Sequence, residues 1–193
     1  MVGAFVIYTA MSALGLSPIL AVLAAMVICT ILGITIEKIA YRPLRNAGSP
    51  LAVLITAIGV SYLLQSLAQI IFGSAPKMVT VYEFGAVKFM SATVKISALV
   101  TLAVATVVMT ALTLFVKYTR LGRAMIAVSE DKSAAQLMGI NVNGIITITF
   151  AIGSALAALA GLFYLLKAPT VSNTMGAMPG IKAFTAAVFG GIG

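Results

Sequence analysis

The sequence contains no histidine, and Cys29 is its single cysteine. Without histidine, the chain has no imidazole for acid–base catalysis or for binding a metal ion. A single cysteine excludes an internal disulfide and also the paired-cysteine motifs of redox proteins and zinc sites. These absences remove histidine-based catalysis and the common metal-binding motifs from the functions to be considered.

Charged residues are also scarce, at 8% of the chain against about 25% in an average soluble domain. Hydrophobic residues make up 62% of the 193 residues. A soluble domain of this size has too little interior to hide so much apolar surface. A lipid bilayer accepts that surface directly, because a membrane helix needs about 20 mainly apolar residues. The composition predicts an all-α fold, a polytopic transmembrane helical bundle.

Long charge-free runs predict about five to six spans in a single transmembrane domain that covers residues 1–193. A turn signal ends the first run at residues 15–17, and Pro18 suits the first position of the next helix. The first and last apolar pieces are shorter than the ~17 residues that a span needs. We expect spans near 1–14, 18–36, 51–72, 96–116 and 143–166, and a last apolar piece at 183–193.

The 12 basic residues, against 4 acidic ones, lie in short connections and form no continuous patch. This distribution argues against nucleic acid as a partner and indicates membrane topology instead. The connections at 37–50 and 117–142 lie on one side of the predicted bundle, and those at 15–17, 73–95 and 167–182 on the other. The positive-inside rule predicts that the first group is cytoplasmic and that the chain is a multi-pass protein of the cell membrane. All four arginines lie in this first group, at Arg42, Arg45, Arg120 and Arg123.

The cytoplasmic connection at 117–142 is predicted to contain a short helix, from Glu130 to Met138. Ser129 is a suitable N-cap, and Glu130 and Asp131 would follow in the first turn, where the helix dipole favours negative charge. Gly139 suits the C′ position, just after the helix. The segment therefore has the start and stop signals of one helical element.

Ala134, Leu137 and Met138 have the i, i+3, i+4 spacing of residues that share one face of a helix. An apolar face of this kind suits the groove of a partner protein. It also suits the surface of a lipid bilayer, on which an interfacial helix can rest. The spacing supports docking on a partner protein and resting on a lipid bilayer equally.

Several distinctive stretches are spread over nearly all of the chain: AYRPLR at 40–45, LITAIGVS at 54–61, TRLGRAM at 119–125, the acidic pair Glu130-Asp131, AAQLMGINV at 134–142 and GIKAFTAAVFGGIG at 180–193. In sequence and in order, these stretches closely resemble the LivH-type permease subunit of branched-chain amino acid ABC importers. Family members extend beyond both ends of this sequence, so we expect the chain to be a fragment that lacks both termini.

The resemblance implies a permease subunit that imports leucine, isoleucine and valine, with no cofactor and no enzymatic activity of its own. Its implied partners are a second permease subunit, cytoplasmic ATP-binding subunits and an extracytoplasmic solute-binding protein. It also implies that 117–142 is the cytoplasmic coupling loop that contacts the ATPase. The sequence contains no phosphate-binding loop of the form GxxxxGK[ST], which agrees with ATP hydrolysis on another subunit. The ATPase-coupling residues are accordingly predicted to be Glu130, Asp131, Ala134, Leu137, Met138 and Gly139.

Ser61, Gln65 and Gln69 form a polar stripe at four-residue spacing along the predicted 51–72 helix. Such side chains avoid lipid and face the interior of the bundle or a wet cavity. They are candidates for the translocation path, where they would hydrogen-bond a zwitterionic substrate. The alternative interpretation, which the spacing favours, is that they hydrogen-bond a neighbouring helix.

The main alternative function is an ion-coupled secondary transporter of small solutes. That class usually places ionisable residues inside the membrane. Here we expect none of the four acidic residues, Glu37, Glu83, Glu130 and Asp131, to lie well inside a span. Glu37 is instead predicted to anchor the end of a span. An intramembrane enzyme is also disfavoured, because no base is predicted beside a serine or threonine at membrane depth.

Overall fold

The computed structural model describes residues 1–13, 15, 17–46, 50–79, 86–89 and 92–191. Most of these residues are helical. A π-helical turn (Glu37–Tyr41) and a 3-10 turn (Pro43–Asn46) follow the second helix. In chain order, the α-helices of the described residues are α1 (Val2–Ser12), α2 (Pro18–Ile36), α3 (Pro50–Phe72), α4 (Ile96–Tyr118), α5 (Arg120–Glu130), α6 (Lys132–Leu137), α7 (Val142–Lys167) and α8 (Ala177–Phe189).

Within the described residues, four helices are long and apolar enough to cross a membrane: Pro18–Tyr41, Leu51–Phe72, Ile96–Tyr118 and Val142–Lys167. The apolar helices α1 and α8 are shorter, with 11 and 13 residues. The predicted polytopic helical fold is confirmed. The expected five to six spans correspond to these four long helices and the two shorter ones.

Helix α8 begins earlier than the apolar piece that the sequence predicted. It starts at Ala177 rather than at 183, and Pro179 and Gly180 lie inside it. Proline is tolerated there because the first turn of a helix has no intrahelical partner for its backbone N–H groups. Residues 177–182 are therefore helical, although they were predicted to belong to a connection.

Within the described residues, four short strands lie in the connections between the helices. Strand β1 (Lys77–Met78) pairs antiparallel with β4 (Thr170–Val171), and β2 (Ala86–Phe89) pairs with β3 (Ala92–Lys95). The β1–β4 ladder brings the connections after α3 and after α7 to the same end of the bundle. This agrees with their predicted placement on one side of the membrane.

Helices α1, α2 and α7 form the core of the bundle, and small residues allow their backbones to approach closely. A Cβ atom on Gly3 would lie 2.9 Å from the Cα of Ala158. A Cβ on Gly161 would lie 3.4 Å from the backbone nitrogen of Ala4, whereas a Cβ on Gly153 would meet nothing within 4 Å. Close packing along α7 therefore includes Gly161 but leaves Gly153 on an open face.

A second buried cluster lies at the other end of α7. It joins Val128 of α5, Ala135 of α6 and Ile145 of α7. Because each of these helices contributes one buried side chain, α5 and α6 are fixed against the first turns of α7. This cluster fixes helices of the 117–142 segment, which was predicted to be the coupling loop.

Candidate functional site

The segment begins at Thr119, where α4 ends and α5 begins. The Thr119 hydroxyl donates to the carbonyl of Phe115 at 2.7 Å and accepts from the backbone N–H of Gly122 at 3.0 Å. A Cβ on Gly122 would overlap the backbone of Val116, so only glycine fits this tight turn. Helix α5 was not predicted, although a threonine cap three residues before glycine was a signal for it.

The short helix begins later than predicted, because Asp131 is its N-cap and Ser129 is not. The backbone of Asp131 is extended, and its Oδ1 accepts from the N–H groups of Ser133 at 2.7 Å and Ala134 at 3.1 Å. A carboxylate that accepts from two free N–H groups at a helix N-terminus is a strong cap. Helix α6 therefore starts at Lys132.

Ser129 and Glu130 belong to the preceding helix, in contrast to their predicted roles. The Ser129 hydroxyl donates to the carbonyl of Ile126 at 2.7 Å, within α5. Glu130 is the last residue of α5 and not part of the first turn of α6. The prediction failed because two capping residues stand close together, and Asp131 is the one that interrupts the helix.

Gly139 ends α6 as predicted. Its φ is +80°, a left-handed conformation that glycine adopts without strain. The N–H of Gly139 donates to the carbonyl of Gln136, and the N–H of Ile140 donates to that of Ala135, each at 3.0 Å. This pair of bonds is a Schellman motif, which satisfies the last carbonyls of the helix. Both ends of α6 are therefore capped.

The apolar face of α6 points away from the rest of the chain. Leu137 is 89% exposed and Met138 is 83% exposed, and Ala134 is also exposed. The buried residue of α6 is Ala135, on another side of the helix. Glu130 and Asp131 are exposed as well, so the structure brings all six predicted coupling residues onto one short exposed segment.

The polar stripe of α3 is only partly brought together. The Gln65 side-chain amide donates to the Ser61 hydroxyl at 3.3 Å, and both residues line a cleft of about 260 Å³. Asn173 also lines this cleft, although no sequence pattern predicted it. Gln69 is exposed and does not line the cleft. The cleft is polar at Ser61, Gln65 and Asn173 and otherwise mainly apolar.

Glu37 is fully buried, in contrast to its predicted role as an anchor at the end of a span. It lies within the candidate span Pro18–Tyr41, and its Oε2 accepts a hydrogen bond from the Thr147 hydroxyl at 2.8 Å. The prediction failed because the π-helical turn continues the helix beyond residue 36 and places Glu37 against α7. Glu83, the remaining acidic residue, lies outside the described residues.

The long apolar helices define a multi-pass helical membrane protein. Between two of its spans it exposes a short capped helix, α6, with an apolar face. A family model described as "Branched-chain amino acid transport system / permease component" matches residues 1–193. The chain therefore belongs to this family of permeases, which confirms the resemblance that the sequence showed. It is a multi-pass protein of the inner membrane.

Several curated relatives are branched-chain amino acid permeases. The permease protein BraD of Pseudomonas aeruginosa is 40% identical over 200 residues, which cover 98% of this chain and 65% of BraD. LivH of Escherichia coli is 41% identical over 174 residues, which cover 88% of this chain and 56% of LivH. LivH of Salmonella typhimurium is 40% identical over the same shares. The chain thus spans between half and two thirds of these relatives, and no solved structure matches it significantly.

Proposed function

We propose that this chain is the membrane-spanning permease subunit of an ATP-driven importer for leucine, isoleucine and valine. The names of BraD and LivH, as high-affinity branched-chain amino acid transport permeases, support the substrate class. The observation that carries the mechanism is the exposed apolar face of α6, which offers a contact through which another subunit can drive the permease. In this role the chain conducts solute and catalyses no reaction itself.

The contact at α6 suits a protein better than a lipid surface. A helix that lies on a membrane usually has a long apolar face and a polar face rich in lysine and arginine. Helix α6 has only six residues, and the exposed acidic residues Glu130 and Asp131 stand at its start. Leu137 and Met138 are suited to a small apolar socket on a cytoplasmic ATP-binding subunit. The 117–142 segment is then the cytoplasmic coupling loop of the importer.

Other exposed surfaces of the chain are available to the remaining proposed partners. In the described part of α4 no residue is buried, so its sides are available to lipid and to a second permease subunit. The opposite end, with the β1–β4 ladder, would face an extracytoplasmic solute-binding protein. In this proposal the cleft at Ser61 and Gln65 forms part of the translocation path, and Gln69 lies one turn further along α3, outside the cleft.

The docking role can be tested by replacing Leu137 with glutamate in the complete importer, reconstituted in liposomes. A buried charge at an apolar contact removes a central anchor, so we expect substrate-stimulated ATP hydrolysis and uptake to fall by about tenfold, equivalent to ~1.4 kcal/mol. Gln136→Glu is the matched control, because it adds the same charge to an exposed neighbouring position. Normal uptake and ATP hydrolysis in Leu137→Glu would contradict docking at α6.

A secondary transporter is the second candidate function, and the buried Glu37 is the observation that favours it. An ionisable side chain inside a membrane segment is typical of ion-coupled transport. In that case a proton or sodium gradient would drive uptake without ATP, and Glu37→Gln would abolish it. Uptake that requires ATP and ignores both gradients would exclude this alternative.

A further inference from the structure

Residues 120–137, which contain α5 and α6 and which we call the coupling segment, pack against the start of α7 as one unit. The buried side chains of Val128, Ala135 and Ile145 tie α5, α6 and α7 together. Only four residues separate the end of α6 from the start of α7, and Asn141 caps α7 by accepting from the N–H of Gly144 at 3.1 Å. A force applied to α6 therefore acts on the first turns of α7.

Thr147, near the start of α7, bonds to another membrane helix. Its hydroxyl lies 2.8 Å from Oε2 of Glu37 and 2.9 Å from the carbonyl of Asn143 in its own helix. Other threonines in the long helices, such as Thr106 and Thr149, donate to the carbonyl four residues earlier. That local bond is the usual one for threonine in a helix. Thr147 has, in addition, an acceptor 110 residues away in sequence.

Glu37 lies at an irregular point of its own helix. It begins the π-helical turn, in which the N–H of Arg42 donates to the Glu37 carbonyl at 2.8 Å. Turns of this kind inside α-helices are frequent at functional sites. The same turn ends at Tyr41, whose ring lies 5.1 Å from that of Phe150 in α7. The turn thus presents both a carboxyl group and an aromatic ring to α7.

We propose that Glu37 is a positioning residue that transmits movement of the coupling segment to α2. This inference rests on the proposed function, because it assumes that α6 receives the force from an ATPase. Movement of α5, α6 and the start of α7 reaches Thr147, and its hydrogen bond to Glu37 carries the movement into the π-helical turn and α2. Loss of this bond uncouples the two parts without removing either from the membrane.

The test is Thr147→Val in the complete importer, since valine has the shape of threonine and lacks the hydroxyl. We expect the solute moved per ATP hydrolysed to fall by about tenfold, the scale of one lost buried hydrogen bond, while basal ATP hydrolysis and assembly stay normal. Thr147→Ser keeps the hydroxyl and should restore coupling. Thr149→Val is the matched control, because the Thr149 hydroxyl bonds within its own helix.

A double substitution shows whether Glu37 and Thr147 act together. Glu37→Gln and Thr147→Val should together lower coupling by less than the product of their separate effects, because both act on the same hydrogen bond. Equal coupling in Thr147→Val and wild type would overturn the inference. A parallel fall of assembly, basal hydrolysis and transport in Thr147→Val would also overturn it, because that result indicates a purely structural role.

A distance measurement tests the link between α6 and α2 without relying on transport activity. Spin labels at Gln136→Cys in α6 and Ile31→Cys in α2, in a Cys29→Ala chain, report how the two parts sit together. Thr147→Val should broaden the distance distribution, and Thr149→Val should leave it unchanged. If the wild-type importer moves no branched-chain amino acid with ATP, the proposed function fails, and the distribution still shows whether the bond between Glu37 and Thr147 links α6 to α2. An unchanged distribution in Thr147→Val overturns it.

Discussion

Helices α2 and α7 pack closely against each other, whereas α3 and α4 are largely exposed. A Cβ on Gly33 of α2 would overlap the side chain of Ser154 in α7, whereas a Cβ on Gly59 of α3 would meet nothing within 4 Å. Apolar side chains gain little by leaving lipid for another helix, so membrane helices associate where small residues allow close packing. The chain therefore fixes α2 to α7 by itself and leaves most of α3 and α4 exposed.

Gly33→Ala should break the packed pair and gives the largest expected effect. The added Cβ would lie 2.7 Å from the Cβ of Ser154, an atom that the backbone holds in place. Overpacking of this kind costs about 1–3 kcal/mol. We expect a lower free energy of unfolding for the purified chain in detergent, measured by denaturation in a series of denaturant concentrations.

Two further variants sharpen this result. Gly59→Ala adds the same methyl group to an open face, and alanine is the better helix former by about 1 kcal/mol, so stability should stay the same or rise. Ser154→Gly should rescue Gly33→Ala, because it removes the atoms that clash. An equal loss of stability in Gly33→Ala and Gly59→Ala would show that α2 is packed no more closely than α3.

A similar contrast exists within the coupling segment, between Asp131, which caps a helix, and Ser129, which bonds within its own helix. Asp131→Ala removes the carboxylate that caps α6 and should cost about 1 kcal/mol. Ser129→Ala removes a hydroxyl that bonds within α5, and we expect a smaller change. Hydrogen exchange at the backbone amides of Ser133 and Ala134 measures the difference. Faster exchange in Ser129→Ala than in Asp131→Ala would restore Ser129 as the cap.

Much of the fold follows from the sequence because a bilayer imposes a simple length rule on apolar runs. The four long helices all lie close to predicted spans. Gly139 was also predictable, since a left-handed residue after a helix is usually glycine. The start of α6 was not, because Ser129 and Asp131 are both good caps and only the folded backbone shows which of them interrupts the helix.

Glu37 and Asn173 show a different limit of sequence reasoning. Glu37 follows an apolar run and looks like an anchor at the membrane surface. Its burial depends on the π-helical turn, which shifts the register of the helix, and on Thr147, a distant residue in the chain. Asn173 lines the same cleft as Gln65 only because the connection after α7 folds against the end of α3, where the Asn173 amide donates to the Gly73 carbonyl. Neither position carries a local pattern that marks it.

The smallest effect is expected at the cleft beside α3, which is one of the two largely exposed helices. Gln65→Leu removes the amide that bonds to Ser61 and leaves an apolar side chain in the cleft. Insertion and assembly should stay normal, because leucine is favourable in a membrane helix. If the cleft lies on the path, the substrate concentration for half-maximal uptake should change by about threefold, the scale of one exposed hydrogen bond.

Gln69→Leu is the matched control for that change, because it makes the same substitution one turn along α3, outside the cleft. Uptake that responds to Gln65→Leu and ignores Gln69→Leu would place solute beside α3 and give its open face a function of its own. Unchanged uptake in both variants, with less assembled complex in Gln65→Leu, would favour the alternative that the polar stripe holds helices together. That outcome would weaken the comparison, because α3 would then depend on polar contacts in the way that α2 depends on close packing.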